Sequence, residues 1–156
     1  MAANTAARDT NRADGKLLSI PVQNACTIYK GDWVICDTDG FAQTNDGTTT
    51  TLADGDIFMG IAAATVDNSS GSDGDVEVEV FTTGEFLLPC AATASQALVG
   101  NSVYINNTGD SGALAIAAIT DAPECIVGMC TAFESTTSIR VRIDNAVGNL
   151  ATTTAS

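Results

Sequence analysis

The sequence predicts an all-β fold, a compact sandwich or barrel, and three observations carry that prediction. Two segments alternate strictly. Val76-Glu77-Val78-Glu79-Val80 and Ile139-Arg140-Val141-Arg142-Ile143 place three β-branched residues on one face and charges on the other, the period of a strand with one buried side. Turn formers recur between apolar runs, at Asp39-Gly40, Asp46-Gly47, Asp54-Gly55, Asp73-Gly74 and Gly109-Asp110 followed by Gly112, which is the punctuation of short strand connections. Apolar positions seldom recur at helical spacing, and Thr, Val, Ile, Gly, Asp and Asn dominate.

In chain order, strands are predicted over roughly 17–22, 26–30, 32–37, 57–65, 76–82, 85–89, 102–106, 113–118, 125–133 and 138–144. Residues 1–16 are expected to form a flexible N-terminal arm, 17–145 a single β domain and 146–156 a C-terminal tail. A chain of 156 residues with 45% hydrophobic content is long and apolar enough to bury one core.

An internal duplication is also expected, because short motifs return in the same order. Gly31-Asp32-Trp33-Val34-Ile35 precedes Gly100-Asn101-Ser102-Val103-Tyr104 by 69 positions. Ile57-Phe58-Met59-Gly60-Ile61 is answered by Ile126-Val127-Gly128-Met129-Cys130, and Val76 to Val80 by Ile139 to Ile143. The first half carries the longer insertion, Asp67 to Asp75, expected to be a solvent-exposed loop.

The formal charge of −13 argues against nucleic acid as a partner, since phosphates would be repelled by most of the surface. That charge is unevenly spread. Arg8, Arg12 and Lys16 outweigh Asp9 and Asp14 in the first 16 residues, leaving the arm at +1 and the rest at −14. Those charges also interrupt any signal-peptide pattern, and no run reaches the length of a membrane span. A soluble protein made in the cytosol, without a membrane partner, is the expectation.

Catalytic signals are scarce. Histidine is absent, and Ser19, Ser95 and Ser102 lie in no nucleophile-elbow context, with Lys16 and Lys30 the only lysines. Carboxylates pair at Asp37/Asp39, Asp54/Asp56, Asp73/Asp75 and Glu77/Glu79, but all except the last adjoin glycine, as turn residues do. The loop from Asp67 to Asp75 is rich in oxygen ligands yet lacks the spaced ligand ladder and closing glutamate of an EF-hand. Gly15-Lys16 is followed by Leu17, not by the Ser or Thr of a phosphate loop. Five cysteines, Cys26, Cys36, Cys90, Cys125 and Cys130, show no CxxC pair and sit among apolar residues, the setting of small buried hydrophobes. No enzyme activity and no cofactor or metal are expected. Trp33, the single tryptophan, is expected to anchor a sheet or subunit interface. Glu77 and Glu79 are expected to face Arg140 and Arg142, either within one sheet or across a subunit boundary.

Read as an ordered series, these motifs resemble the small bacteriophage capsid cement, or head-decoration, proteins. The resembling elements are Gly31-Asp32-Trp33-Val34, Met59-Gly60-Ile61-Ala62, and Val76 to Val80 leading to Gly84-Glu85-Phe86-Leu87-Leu88-Pro89. The second half supplies Gly100-Asn101-Ser102-Val103-Tyr104, Gly112-Ala113-Leu114, Val127-Gly128 and Ile139 to Ile143. Asn101 stands where the pattern has an acid. The likeness spans about residues 17–145. It implies an all-β structural virion protein without catalytic residues, assembled as a homotrimer, with a dimer left open, on the outer capsid surface. Its partners would be the major capsid protein and itself. Charge, and not the resemblance, makes Arg8, Arg12 and Lys16 the expected capsid-binding arm, which is longer and richer in arginine than the pattern has. The alternative of a different class is a receptor- or glycan-binding β module on a virion spike or cell surface.

Overall fold

The structure is a computed structural model that describes residues 16–44, 52–90, 94–106 and 123–144, and the backbone of 152–153. Arg8 and Arg12 of the arm, and the strand predicted over 113–118, lie outside the described residues.

The fold is all-β, with twelve strands among the described residues and a single 3-10 turn, Gln96–Leu98. They are β1 (Leu17–Pro21), β2 (Cys26–Ile28), β3 (Trp33–Cys36), β4 (Ala42–Gln43), β5 (Ile57–Ala62), β6 (Val66–Asn68), β7 (Glu77–Phe81), β8 (Thr83–Pro89), β9 (Ser102–Asn106), β10 (Pro123–Ser135), β11 (Ser138–Asp144) and β12 (Thr152–Thr153). The first sheet runs β1-β7-β5-β3-β4. The second runs β12-β10-β11-β8, with β9 on β10, and β2 and β6 form a small third sheet. Every ladder is antiparallel. A lone parallel bridge from Val22 to Ala42 draws the ends of the first sheet together and curls it, without a regular ladder to close a barrel.

Two cores separate three layers. Trp33, Ile35, Phe58 and Ile61 of the first sheet pack against Val103, Cys125, Val127, Cys130, Ile139, Val141 and Ile143 of the second. On the opposite face of the first sheet, Ile20, Val34, Ala62, Val78 and Val80 pack under Cys26 and Ile28 of the small sheet. The alternating strands thus behave as their period requires: Val78, Val80, Ile139, Val141 and Ile143 are fully buried, while Val76 lies just before β7 and is only partly buried.

The duplication extends beyond the sequence motifs. β1-β7-β5-β3 and β8-β11-β10-β9 have the same order and the same register. Pro21 opposite Glu77 matches Pro89 opposite Ser138, and Leu18 opposite Val80 matches Phe86 opposite Val141. Val34 opposite Gly60 matches Val103 opposite Gly128, with a bulge beside each pair. Backbone bonds outside the ladders repeat as well. Gly31 N–H donates to Ala62 and Gly100 N–H to Cys130, at 2.9 and 2.8 Å, and Val22 to Val76 as Cys90 to Thr137, at 2.9 and 3.0 Å.

The register corrects the sequence alignment in two places. Gly60 is matched by Gly128, not by Met129, and Val78 by Ile139, so the alternating segments align two residues apart from the sequence reading. Physically the glycines decide it. A Cβ on Gly60 would lie 2.1 Å from the Phe81 carbonyl oxygen, and one on Gly128 would lie 2.2 Å from that of Arg142.

The insertion of the first half is also more than a loop. Its start forms β6, which pairs with β2 to cover the first sheet. Asn68 is buried and its Nδ2 donates to the carbonyls of Val22, Gln23 and Ser72 at 3.0, 3.0 and 2.8 Å. The second half has only a tight connection between Ser135 and Ser138 at the matching point.

Candidate docking face

Stacking the two halves leaves one sheet face without a covering layer among the described residues: the side of the second sheet turned away from Trp33. The duplication says what stands there. Trp33, Ile35, Phe58 and Ile61 of the first sheet correspond to Ser102, Tyr104, Ile126 and Met129 of the second. In the first sheet these positions are buried, whereas Ile126 and Met129 are 45% and 44% exposed. Leu87 on β8 lies on the same face and is 57% exposed. Serine in place of tryptophan leaves a hollow of about 390 Å³, lined by Ser102, Ile126, Gly128, Met129, Arg142 and Asp144 among others.

Charges alternate across this face. Arg140 bonds to Glu134 through Nε and lies 3.9 Å from Glu85, and Arg142 Nε lies 3.2 Å from Asp144. All five side chains are exposed, so these pairs set local orientation and contribute little stability. The Glu134 hydrogen bond and charge raise the pKa of the Arg140 guanidinium further.

The predicted arrangement of Glu77 and Glu79 against Arg140 and Arg142 within one sheet is not found. The glutamates belong to the first sheet and the arginines to the second. Glu77 instead accepts from the Ser19 hydroxyl at 2.6 Å. With carboxylates already beside both arginines in their own sheet, little attraction is left for a distant acidic strand.

Trp33 fills the space between the two sheets at 4% exposure, so of the interfaces the sequence offers it occupies the one inside the chain. Its Nε1 is buried without a hydrogen-bond partner among the described residues. Lys16 is exposed, immediately before β1, and its carbonyl accepts from Thr82 N–H at 3.0 Å.

No family model, no curated protein and no solved structure matches this chain.

The three carboxylates of the Asp67 to Asp75 loop are committed to the fold. Asp73 accepts from Asn24 N–H at 2.7 Å, Asp75 from Ser72 N–H at 2.7 Å, and Asp67 from Thr27 and Ser69 at 3.0 and 2.9 Å. Bonds from Ser69 and Thr27 hold the Asp67 carboxyl below its ordinary pKa. Among the described residues no three Cys, Asp or Glu side chains converge as metal ligands would, and no helix is long and apolar enough to cross a membrane. Cys26, Cys90, Cys125 and Cys130 are buried and Cys36 is half-buried. Burial raises the pKa of Cys36, Cys90 and Cys130, and pushes Cys125 up to about 11, so these thiols stay protonated and weakly nucleophilic at neutral pH.

Ile126, Met129 and Leu87 were not singled out by the sequence reading. The signal lay in the repeat itself: aligning Trp33 with Ser102 marks a tryptophan lost from a face that kept its other apolar residues.

Proposed function

We propose that this chain is a structural virion protein that binds the outer surface of a phage capsid and stabilises it, through self-association and contact with the major capsid protein. It works by binding and not by turnover, without a cofactor, and neither nucleic acid nor membrane is its partner. The resemblance of the ordered motifs to capsid cement proteins supports this reading. The observation that carries it is the open face of the second sheet, where Ile126, Met129 and Leu87 stand exposed among Arg140, Arg142, Glu85 and Asp144. An open sheet face with apolar residues inside mixed charge suits contact with another protein surface. The strongly acidic body keeps free protein soluble and resists non-specific aggregation.

A second reading, a receptor- or glycan-binding module, draws on the hollow, whose volume of about 390 Å³ is within the range of small-ligand sites. Among the described residues Tyr104 is the one aromatic on that face, a thin platform for sugar stacking. Incubation with empty capsids and, separately, with host cells and a glycan array distinguishes the two. Saturable binding to capsids alone fits the cement reading, whereas binding to cells or glycans in the absence of capsids overturns it.

A further inference from the structure

From the repeated architecture we infer that the outer face of the second sheet is a self-complementary interface, and that its occupant is the same face of a second copy of this chain. The inference rests on the self-association part of the proposed function and does not require a capsid.

Three observations select that occupant. Inside the chain, the matching face of the first sheet is buried against another sheet, through Trp33, Ile35, Phe58 and Ile61. Its counterpart has kept the apolar character at Tyr104, Ile126 and Met129 without a covering layer among the described residues. A sheet is therefore the kind of surface this face is built to meet.

Charge then decides which sheet. The chain carries −13, so two copies repel through most of their surface. On this face the described side chains of Arg140 and Arg142 are interleaved with Glu85, Glu134 and Asp144, and these five sum to −1. Two copies can approach here with less repulsion than their overall charges imply. The arrangement also reads the same from both sides: a two-fold axis beside β11 brings the Arg142–Asp144 pair of one copy head to tail with that of the other. Each guanidinium then gains a second carboxylate. Ile126 and Met129 form the apolar centre, and the hollow left by Ser102 receives bulk from the opposing face. Such an isologous contact closes on itself and stops at two copies.

Sedimentation equilibrium of the full chain tests this, with thermal melting at low concentration as a second reading. The native protein is expected to show a monomer–dimer equilibrium. Met129→Glu should weaken dimerisation about tenfold or more while leaving the melting temperature of the monomer unchanged, because the side chain is exposed there. Arg142→Asp and Asp144→Arg should each dimerise poorly alone, since each crowds like charges at the axis. Mixed in equal amounts they should form a heterodimer, because an all-acidic pair then meets an all-basic one. A native chain that is monomeric at all concentrations, an assembly of odd order, or no rescue in the mixture would overturn the inference. So would a Met129→Glu monomer that melts early, since that places the chain's own residues over the face. Failure to bind capsids leaves these readouts unaffected, so the two proposals fail separately.

Discussion

The residue that organises the centre of the molecule is Trp33, and it holds its place at a cost. The indole fills the gap between the two large sheets, but Nε1 is buried with no hydrogen-bond partner among the described residues, a penalty of about 1–3 kcal/mol. Trp33→Phe removes that orphaned donor along with some volume, so the two effects offset. Its stability should stay within about 1 kcal/mol of the native chain, whereas Trp33→Ala should lose about 3–5 kcal/mol. Urea unfolding of the two variants measures the difference. Asp56 is a second buried group under tension. It is 2% exposed and accepts from Ala53 N–H at 2.8 Å, with Gln43 Nε2 at 3.4 Å. Burial raises its pKa, and Asp37 adds to the rise, against the lowering effect of the Ala53 bond. The sign follows from linkage. A carboxyl whose folded pKa lies above its unfolded value binds protons more tightly when folded, so its contribution falls as pH rises through that window. At neutral pH the charged form is a net cost. Asp56→Asn keeps an acceptor for Ala53 and should melt above the native protein at pH 7, with the advantage shrinking towards pH 3. A variant that melts lower at pH 7 would show that the charge itself is required.

At the scale of elements, the repeated four-strand unit explains why two glycines stand where they do. Gly60 and Gly128 bring β5 and β10 so close to the carbonyls of Phe81 and Arg142 that a Cβ has no room. Gly60 also has a φ of +144°, which side-chain-bearing residues rarely adopt. Gly60→Ala and Gly128→Ala should therefore each destabilise by about 1–3 kcal/mol, with Gly60→Ala the worse, as read by denaturant unfolding. Ala at either position without loss would argue against the shared register. Much of this unit was legible beforehand. Alternation at Val76 to Val80 and Ile139 to Ile143 announced two strands, and the spacing from Gly31 to Gly100 announced the repeat. The shorter elements were not. Ala42–Gln43 and Val66–Asn68 are two and three residues long, too short for a period to register. β6 lies in a run of Asp, Asn, Ser and Gly, where composition favours a turn. Only tertiary contacts reveal that Asn68 is pinned by three backbone carbonyls. The register slip at Gly60 has the same origin: aligning by residue type cannot see which carbonyl each strand must approach.

For the whole molecule, the layers and the charge together define how it meets other proteins. The small sheet closes one side of the stack, through Cys26 and Ile28. The opposite side has no covering layer among the described residues and holds Arg140 and Arg142, two of the six basic residues. Three more, Arg8, Arg12 and Lys16, belong to the N-terminal segment, whose sign is opposite to that of the rest. Attraction between that segment and an acidic capsid surface would be screened by salt. A chain lacking residues 2–15 should keep its melting temperature, since the described residues of the two cores begin at Leu18. It should decorate capsids less fully, and the deficit should depend on ionic strength. Equal decoration would assign attachment to the β domain alone. Whether the protein is a capsid component at all is tested most directly by quantitative co-sedimentation with empty phage shells assembled from a major capsid protein. The account predicts saturation at a fixed ratio of this chain to capsid subunits, accompanied by a higher temperature of shell disruption. Binding that rises without saturation, or shells whose heat stability does not change at full occupancy, would contradict it.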